Sequence, residues 1–385
     1  MANSSNKVAI VYDWIDKWGG VERLLPTLYS IYPDATFYTS YVDLKDAKWA
    51  RRLNIKTSFL QHFPSWIKKS RILSFIFYPI AFESFDFSAY DTVISVTSSF
   101  AKSIITKPKT RHICYLLTPT RYIWLYPKEY LHGVIRWALS IFMKYVRHWD
   151  SIASRRPDLI ISLSKTVRDR CKKYYGITSE VLYPPFEIDY WEGIRTKFKK
   201  NPFSDTLIPF SEKKPYFLVV SRLEPYKKIE IAVEACRLTK SRLIVVGKGS
   251  RQNQLKRAAG SETTFLQDIS DEQLVALYMH AEGLIMPQNE DFGYTSLEAQ
   301  ICGCPVIAYG HGGNAETVIQ DMTGVFFYEQ SSAGLSSVLE RWHKISYNLK
   351  RNTNLFGKQQ AGKFSKDIFI SRIKQLISLK EEEIL

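Results

Sequence analysis

GLIMPQNEDFGYTSLEAQICGCPVIAYGHGG, residues 283–313, contains one full repeat of a parallel α/β architecture. GLIMP (283–287) is a short apolar run that predicts a strand. Asn289 to Gly293 read as a loop, and a helix is expected to begin near Tyr294 or Thr295 and run to about residue 302. PVIAY (305–309) is the next strand. A strand, a helix and a second apolar strand in this order predict parallel neighbours joined by a crossover helix.

The same alternation extends in both directions. YFLVVS (216–221), RLIVVG (242–247), TTFLQD (263–268) and GVFFY (324–328) are further strands, with helices expected near 227–238, 250–259, 271–280 and 314–319. In the first half, VAIVYDW (8–14), ATFYTS (35–40), DTVISVT (91–97), HICYLL (112–117), DLIISLS (158–164) and EVLYPP (180–185) are strand-like, and 21–31, 134–153 and 165–175 are helix-like. Strands this apolar suit a parallel sheet covered on both faces. Two Rossmann-like, doubly wound α/β domains are therefore expected. The first covers about 1–200 and the second about 205–364, with a Lys-rich linker region at 186–214 that shows no clean period. Two such domains facing one another would form a cleft, with ligands beyond the carboxyl ends of the strands.

The net charge of +15 is unevenly placed. Residues 1–200 hold 31 Lys/Arg against 17 Asp/Glu, whereas 201–385 hold 22 against 21. The basic excess belongs to the first half and points to an anionic ligand, an anionic membrane surface or nucleic acid. No helix-turn-helix, zinc or RNA-binding motif accompanies it, so nucleic acid is not expected as a partner. The five cysteines are scattered and mostly apolar in context, which predicts free thiols and a reducing cytoplasm. Cys302-Gly303-Cys304 reads as a buried helix end, with no second pair nearby to complete a metal site. The opening MANSSNKVAIVYDW enters a strand directly and predicts no signal peptide, and no run of about 18 uncharged apolar residues predicts a membrane span.

Three stretches carry candidate chemistry. In the opening segment, Glu290 lies in the loop and Glu298 eight positions later, one turn into the helix. The start of that helix presents free N–H groups and a positive dipole end suited to a phosphate. Glu298 could accept hydroxyl hydrogen bonds beside it, or serve only as a favourable first-turn acid. In SRLEPYKKIEIAV (221–233), Arg222 leaves a strand and Lys227 and Lys228 follow Pro225 at a helix start. Cations are unfavourable there, so they either flank an anion or form a solvated pair. In YDWIDKWGGVER (12–23), Gly19 and Gly20 precede a helix, which fits either a phosphate approach or an ordinary turn. VVGKGS, with a lone GxG at 247–249, lacks the third glycine and distant acid of a dinucleotide fingerprint.

Together these stretches resemble glycosyltransferase family 4, retaining enzymes of the GT-B fold. Glu290 and Glu298 match the family's E-x7-E motif, Arg222 and Lys227 its diphosphate-binding pair, and Gly19-Gly20 its glycine loop. The resemblance implies that Glu290 contacts donor-sugar hydroxyls and Glu298 the ribose. Arg222 and Lys227 would neutralise the leaving diphosphate, with Lys228 as the alternative if the register shifts by one. Gly293 and Thr295 would add backbone hydrogen bonds, and Gly20 would let the first domain close over the phosphates. A last helix within 365–385 is implied to pack back on the first domain.

EDFGYTSLEAQ and TPTRYIW (118–124) further resemble the mannosyltransferases that use GDP-mannose in polysaccharide or lipopolysaccharide O-antigen assembly. Those enzymes carry a histidine directly before the second segment. Here the position is Leu117, and His112 is five residues upstream. The implied activity is retaining transfer of a hexose to a glycolipid or oligosaccharide acceptor. Alternatives are another UDP- or GDP-linked sugar, or a nucleotide-sugar epimerase of the same fold. No cofactor is expected, and no metal, because Arg222, Lys227, the helix end and the Gly19-Gly20 loop already supply positive charge. Residues 48–82 contain seven Lys/Arg interleaved with aromatics and no acid. Trp66, Lys68, Lys69 and Arg71 are the expected contacts of a cytoplasmic, peripheral protein with an anionic inner membrane.

Overall fold

The computed structural model describes residues 7–71, 73–127, 134–200 and 214–378. The chain divides into two compact units. One holds the residues up to Pro185 together with those from Phe369 onward; the other runs from Phe186 to Ile368.

The first unit is built on seven strands: β1 (Val8–Tyr12), β2 (Thr36–Thr39), β3 (Asn54–Thr57), β4 (Thr92–Thr97), β5 (Arg111–Leu116), β6 (Leu159–Ser162) and β7 (Glu180–Val181). Their order is β3-β2-β1-β4-β5-β6-β7, with every pair parallel. β1, β2 and β4 are buried along their whole length, as strands covered on both faces must be. Ala9, Val11, Tyr38, Phe82, Val93 and Phe100 form the core on one side.

The second unit has six strands: β8 (Phe217–Val220), β9 (Leu243–Val246), β10 (Thr263–Leu266), β11 (Gly283–Met286), β12 (Val306–Tyr309) and β13 (Gly324–Phe327). Their order is β10-β9-β8-β11-β12-β13, again all parallel. Each sheet thus winds outward from its first strand and then reverses. The reversal falls between β1 and β4 in one unit and between β8 and β11 in the other. Loops leaving those strand pairs diverge and open a crevice at the carboxyl ends.

Local sequence fixes several helix ends. Ser164 accepts the Val167 N–H and Gly176, at φ 71°, closes the helix Lys165–Tyr175. Ser270 and Gln273 form a reciprocal capping box at the start of Asp271–His280. The helix Tyr294–Ile301 ends at Cys302, and all five cysteines are free and buried.

The structure departs from the sequence reading in several places, among them the helices Ser332–Glu340 and Trp342–Gly362, which were not expected. β3, sequence NIKT, was not expected. It is a short edge strand with alternating exposure and no apolar run to mark it. Residues 188–200, read as part of a linker, form the helix Ile188–Lys200 in the second unit, where Trp191, Ile194 and Phe198 are buried among flanking lysines. The remainder of that expected linker up to 213 lies outside the described residues. The aromatics of 48–82 are divided: Tyr78 and Phe82 are core residues, Phe63, Phe75 and Phe77 pack against that core, and Trp66, Leu73, Ile76 and Ile80 are exposed.

The last described helix is Lys366–Ser378. Its residues in the first unit are anchored there: the Phe369 ring lies 5.9 Å from that of Tyr115, and the Arg111 guanidinium donates to the Ile377 carbonyl at 2.5 Å.

Candidate functional site

The reversal point of the second sheet gathers the charged residues singled out from the sequence. Arg222 follows β8, is exposed, and donates to the Tyr226 hydroxyl. Lys227 ends a single 3-10 turn, Pro225–Lys227, and is only 9% exposed. Its ammonium reaches across to the loop after β11 and donates to Glu290 Oε1 at 2.5 Å. Gln288 Nε2 donates to the same oxygen at 2.8 Å. Burial opposes the charge of Glu290, but the adjacent Lys227 ammonium outweighs it and holds the carboxyl below its usual range. Lys228 has a left-handed backbone, φ 53°, and caps the helix Ile229–Leu238. Lys227, not Lys228, is the lysine joined to Glu290.

The loops that carry these groups are pinned to one another. Leu223 N–H donates to the Lys248 carbonyl at 3.0 Å, and Arg251 N–H returns to the Leu223 carbonyl at 2.9 Å. A Cβ on Gly249 would lie 2.5–2.7 Å from the Leu223 backbone. The GxG after β9 is therefore a close-packing device that holds the Arg222 loop. On the other side, Gly313 N–H donates to the Glu290 carbonyl and Asn314 Nδ2 to the Gln288 carbonyl, both at 2.8 Å.

Gly293, at φ 100°, turns the chain into the helix Tyr294–Ile301. Only glycine takes that backbone readily. Ser296 Oγ returns a hydrogen bond to the Gly293 carbonyl at 2.8 Å. Thr295 is half-buried in the first turn. Glu298 is 2% exposed and accepts from Tyr278 Oη at 3.1 Å. A buried carboxylate beside a helix N-terminus, with two cations nearby in the fold, can hold a diphosphate and accept hydroxyl donors next to it. Tyr278, Gln288, Asn314 and Tyr226 were not anticipated. Each is positioned by tertiary packing, and the one visible sign of Tyr278 was its place on the apolar face of its helix.

Residues 204–360 match the family model described as glycosyl transferases group 1. The match falls within the second unit. Among curated relatives, the chain is 30% identical over 227 residues to mouse (Mus musculus) alpha-1,3/1,6-mannosyltransferase ALG2, covering 52% of each. It is 26% identical over 192 residues to the O-antigen chain mannosyltransferase RfbU of Salmonella typhimurium, covering 47% of this chain and 48% of the relative. The chain spans about half the length of these relatives. Among solved structures, Anabaena HepE in complex with UDP aligns over 97% of this chain and 100% of its own, with a TM-score of 0.63 at 18% identity. The chain, with its two parallel-sheet α/β units, thus matches GT-B structures in fold.

The first unit, described by itself, has a crevice between β1 and β4. Asp13, directly after β1, accepts the backbone N–H groups of Ser98 (2.8 Å), Phe100 (2.9 Å) and Ala101 (2.8 Å) and the Thr97 hydroxyl (2.8 Å). It ties the loops on either side of the reversal point together, a role the sequence did not disclose. Gly19 and Gly20 lie in the loop before the helix Leu24–Ile31, and neither has a positive φ. A Cβ on Gly19 would meet only the Glu22 carboxylate, at 2.9 Å.

TPTRYIW surrounds a buried ion pair, Lys102–Asp150 at 2.7 Å. Thr120 Oγ1 (3.2 Å), Trp124 Nε1 (2.8 Å) and Tyr175 Oη (2.8 Å) all donate to Asp150. Leu117 is buried. His112 is fully enclosed in β5, its Nε2 2.8 Å from Ser95 Oγ, and burial pushes its pKa down to about 3.

The expected membrane residues do not form one free basic surface. Trp66 is 68% exposed. Lys68 donates to the Gln61 carbonyl at 3.0 Å, and Lys69 pairs with Asp43 at 2.6 Å. Arg71 is committed internally. It pairs with Asp16 at 2.5 Å, donates to Tyr41 Oη at 2.7 Å and lies over the Trp14 ring at 3.8 Å. The run lacks acids in sequence, but Asp16, Asp43 and Asp46 fold against it.

Proposed function

We propose that the chain is a retaining hexosyltransferase that moves mannose from GDP-mannose to a lipid-linked or oligosaccharide acceptor in O-antigen-type polysaccharide assembly. The observation that carries this reading is the Lys227–Glu290 pair at 2.5 Å, set at the reversal point of the second sheet. The mannosyltransferases among the curated relatives support the sugar.

In this reading Arg222, Lys227 and the N–H groups around Gly293 and Thr295 receive the diphosphate. Glu298, oriented by Tyr278, takes the ribose hydroxyls. Glu290, held in place by Lys227 and Gln288, takes hydroxyls of the transferred sugar. As the sugar–phosphate bond breaks, charge grows on the departing oxygen, and fixed cations and N–H groups stabilise it without a metal. That oxygen accepts the proton of the incoming hydroxyl. Attack then comes from the face the phosphate leaves, which retains the anomeric configuration. The protein works on the cytoplasmic side, peripherally, with the exposed Trp66, Leu73, Ile76 and Ile80 against the membrane and exposed Lys48, Arg51 and Arg52 adding charge. Recovery on anionic but not neutral vesicles tests that placement.

The central experiment is a panel of GDP- and UDP-sugars in excess EDTA, with and without glycolipid acceptor. Acceptor-dependent GDP release from GDP-mannose and an α-linked product by anomeric NMR coupling are expected. Preference for a UDP-sugar, activity that only Mg²⁺ restores, an inverted anomer or acceptor-independent turnover would overturn the corresponding part of the proposal.

A further inference from the structure

Trp18 is 53% exposed, in the loop that leaves β1 at the reversal point of the first sheet. Its ring meets that of Trp49 edge to face, at 5.7 Å and 61°. Trp49 is half-buried in the 3-10 turn Lys48–Arg52, and its Nε1–H donates to the Lys17 carbonyl at 2.9 Å. One tryptophan thus uses its only polar group to fix the backbone just before the other.

The base of the loop is rigid as well. β1 and β2 continue their parallel pairing past their ends: Ile15 N–H donates to the Tyr41 carbonyl (3.1 Å) and Asp43 N–H to the Ile15 carbonyl (2.8 Å). Arg71 bonds Asp16 and Tyr41 from the loop's other side. A large apolar ring is therefore held in water by a preorganised support, at the strand ends where parallel sheets bind ligands.

We propose that Trp18, supported by Trp49, is a stacking platform for a pyranose ring of the acceptor, an assignment of the ligand as acceptor that rests on the glycosyltransferase reading. A pyranose has one face of C–H groups, which suits the negative face of an indole, and a rim of hydroxyls. The exposed carboxylate of Asp46, three residues before Trp49, and the exposed Lys17 ammonium offer partners of both kinds for that rim. A saccharide fits this setting better than an anionic lipid surface. The Asp46 carboxylate, 3.6 Å from the Lys69 ammonium, accepts hydroxyl hydrogen bonds but not an anionic headgroup.

The test uses the full chain with its indole nitrogens labelled and mannotriose, GDP and phosphatidylglycerol vesicles as separate probes. Mannotriose should shift the Trp18 indole resonance. Trp18→Ala should weaken mannotriose binding about tenfold, while Trp18→Phe, which keeps an aromatic face, should lose about threefold at most. GDP affinity should be unchanged in both. Undiminished mannotriose binding in Trp18→Ala, an unmoved Trp18 resonance, or a response to vesicles alone would overturn the platform. The two readings fail separately. Transfer with an unaltered acceptor KM in Trp18→Ala removes the platform and keeps the transferase. Mannotriose bound at Trp18 by a chain that turns over no nucleotide sugar does the reverse.

Discussion

Replacing Lys227 by Met isolates what its ammonium does for Glu290. The two side chains are 11% and 16% exposed, so most of the pair is out of water. Breaking a buried pair by removing one partner costs about 3–5 kcal/mol, because the other charge is left uncompensated. Gln288 still donates to Glu290 at 2.8 Å, which places the expected loss at the low end, about 3 kcal/mol at pH 8. The pH dependence is the sharper signature. In the wild type the Glu290 carboxyl is held below its usual range, so its contribution is fully present above the unfolded-state pKa and is lost only as pH falls through the lower folded value. Stability from this group is therefore flat between pH 5 and 8. In Lys227→Met, burial, the largest influence on Glu290, is opposed only by the weaker Gln288 hydrogen bond and raises the carboxyl above its usual range. The folded state then keeps a proton that the unfolded state sheds, and stability falls as pH rises through that window. The gap between wild type and variant should widen from pH 5 to pH 8, read by urea denaturation at each pH. The double variant Lys227→Met/Glu290→Gln removes the orphan charge and should recover most of the loss at pH 8. A gap independent of pH, or a double variant as unstable as the single one, would refute this account.

Arg222→Ala and Glu298→Gln should each weaken GDP binding about 10- to 100-fold, the size of a lost hydrogen bond to a charged group. Calorimetry showing wild-type affinity in both would move the donor site elsewhere. His112 takes a proton in the unfolded chain near pH 6.5 but in the folded chain only near about 3, so it lowers stability as pH falls across that window, by up to about 1.4 kcal/mol per pH unit. His112→Gln keeps a polar group toward Ser95 and should flatten that part of the pH profile relative to wild type. An unchanged slope would show that the acid sensitivity lies in other groups.

Sequence by itself determined the elements that a repeated physical signal marks. Five of the six strands of the second sheet lie within apolar runs that could be read directly, because a parallel strand covered on both faces is apolar throughout; the edge strand Thr263–Leu266, half-buried, was read from a mixed run. The helices 165–175 and 271–280 have the bounds read from the sequence. Arg222, Lys227, Glu290 and Glu298 were legible as a motif. β3 and the helix 188–200 were not, since one is a polar edge strand and the other buries three side chains among many lysines. Tertiary structure alone decided which charges are spoken for. The ion pair of Lys227 with Glu290 spans 63 positions, that of Arg71 with Asp16 spans 55, and the bonds of Asp13 to the loop after β4 span 85 to 88. Such partners meet only because parallel strands place distant loops at one end of a sheet. A local pattern can show that a residue is charged, but not which opposite charge the fold will bring to it. For the same reason, the basic run at 48–82 looked like an open surface until the acids after β1 and β2 folded against Lys69 and Arg71.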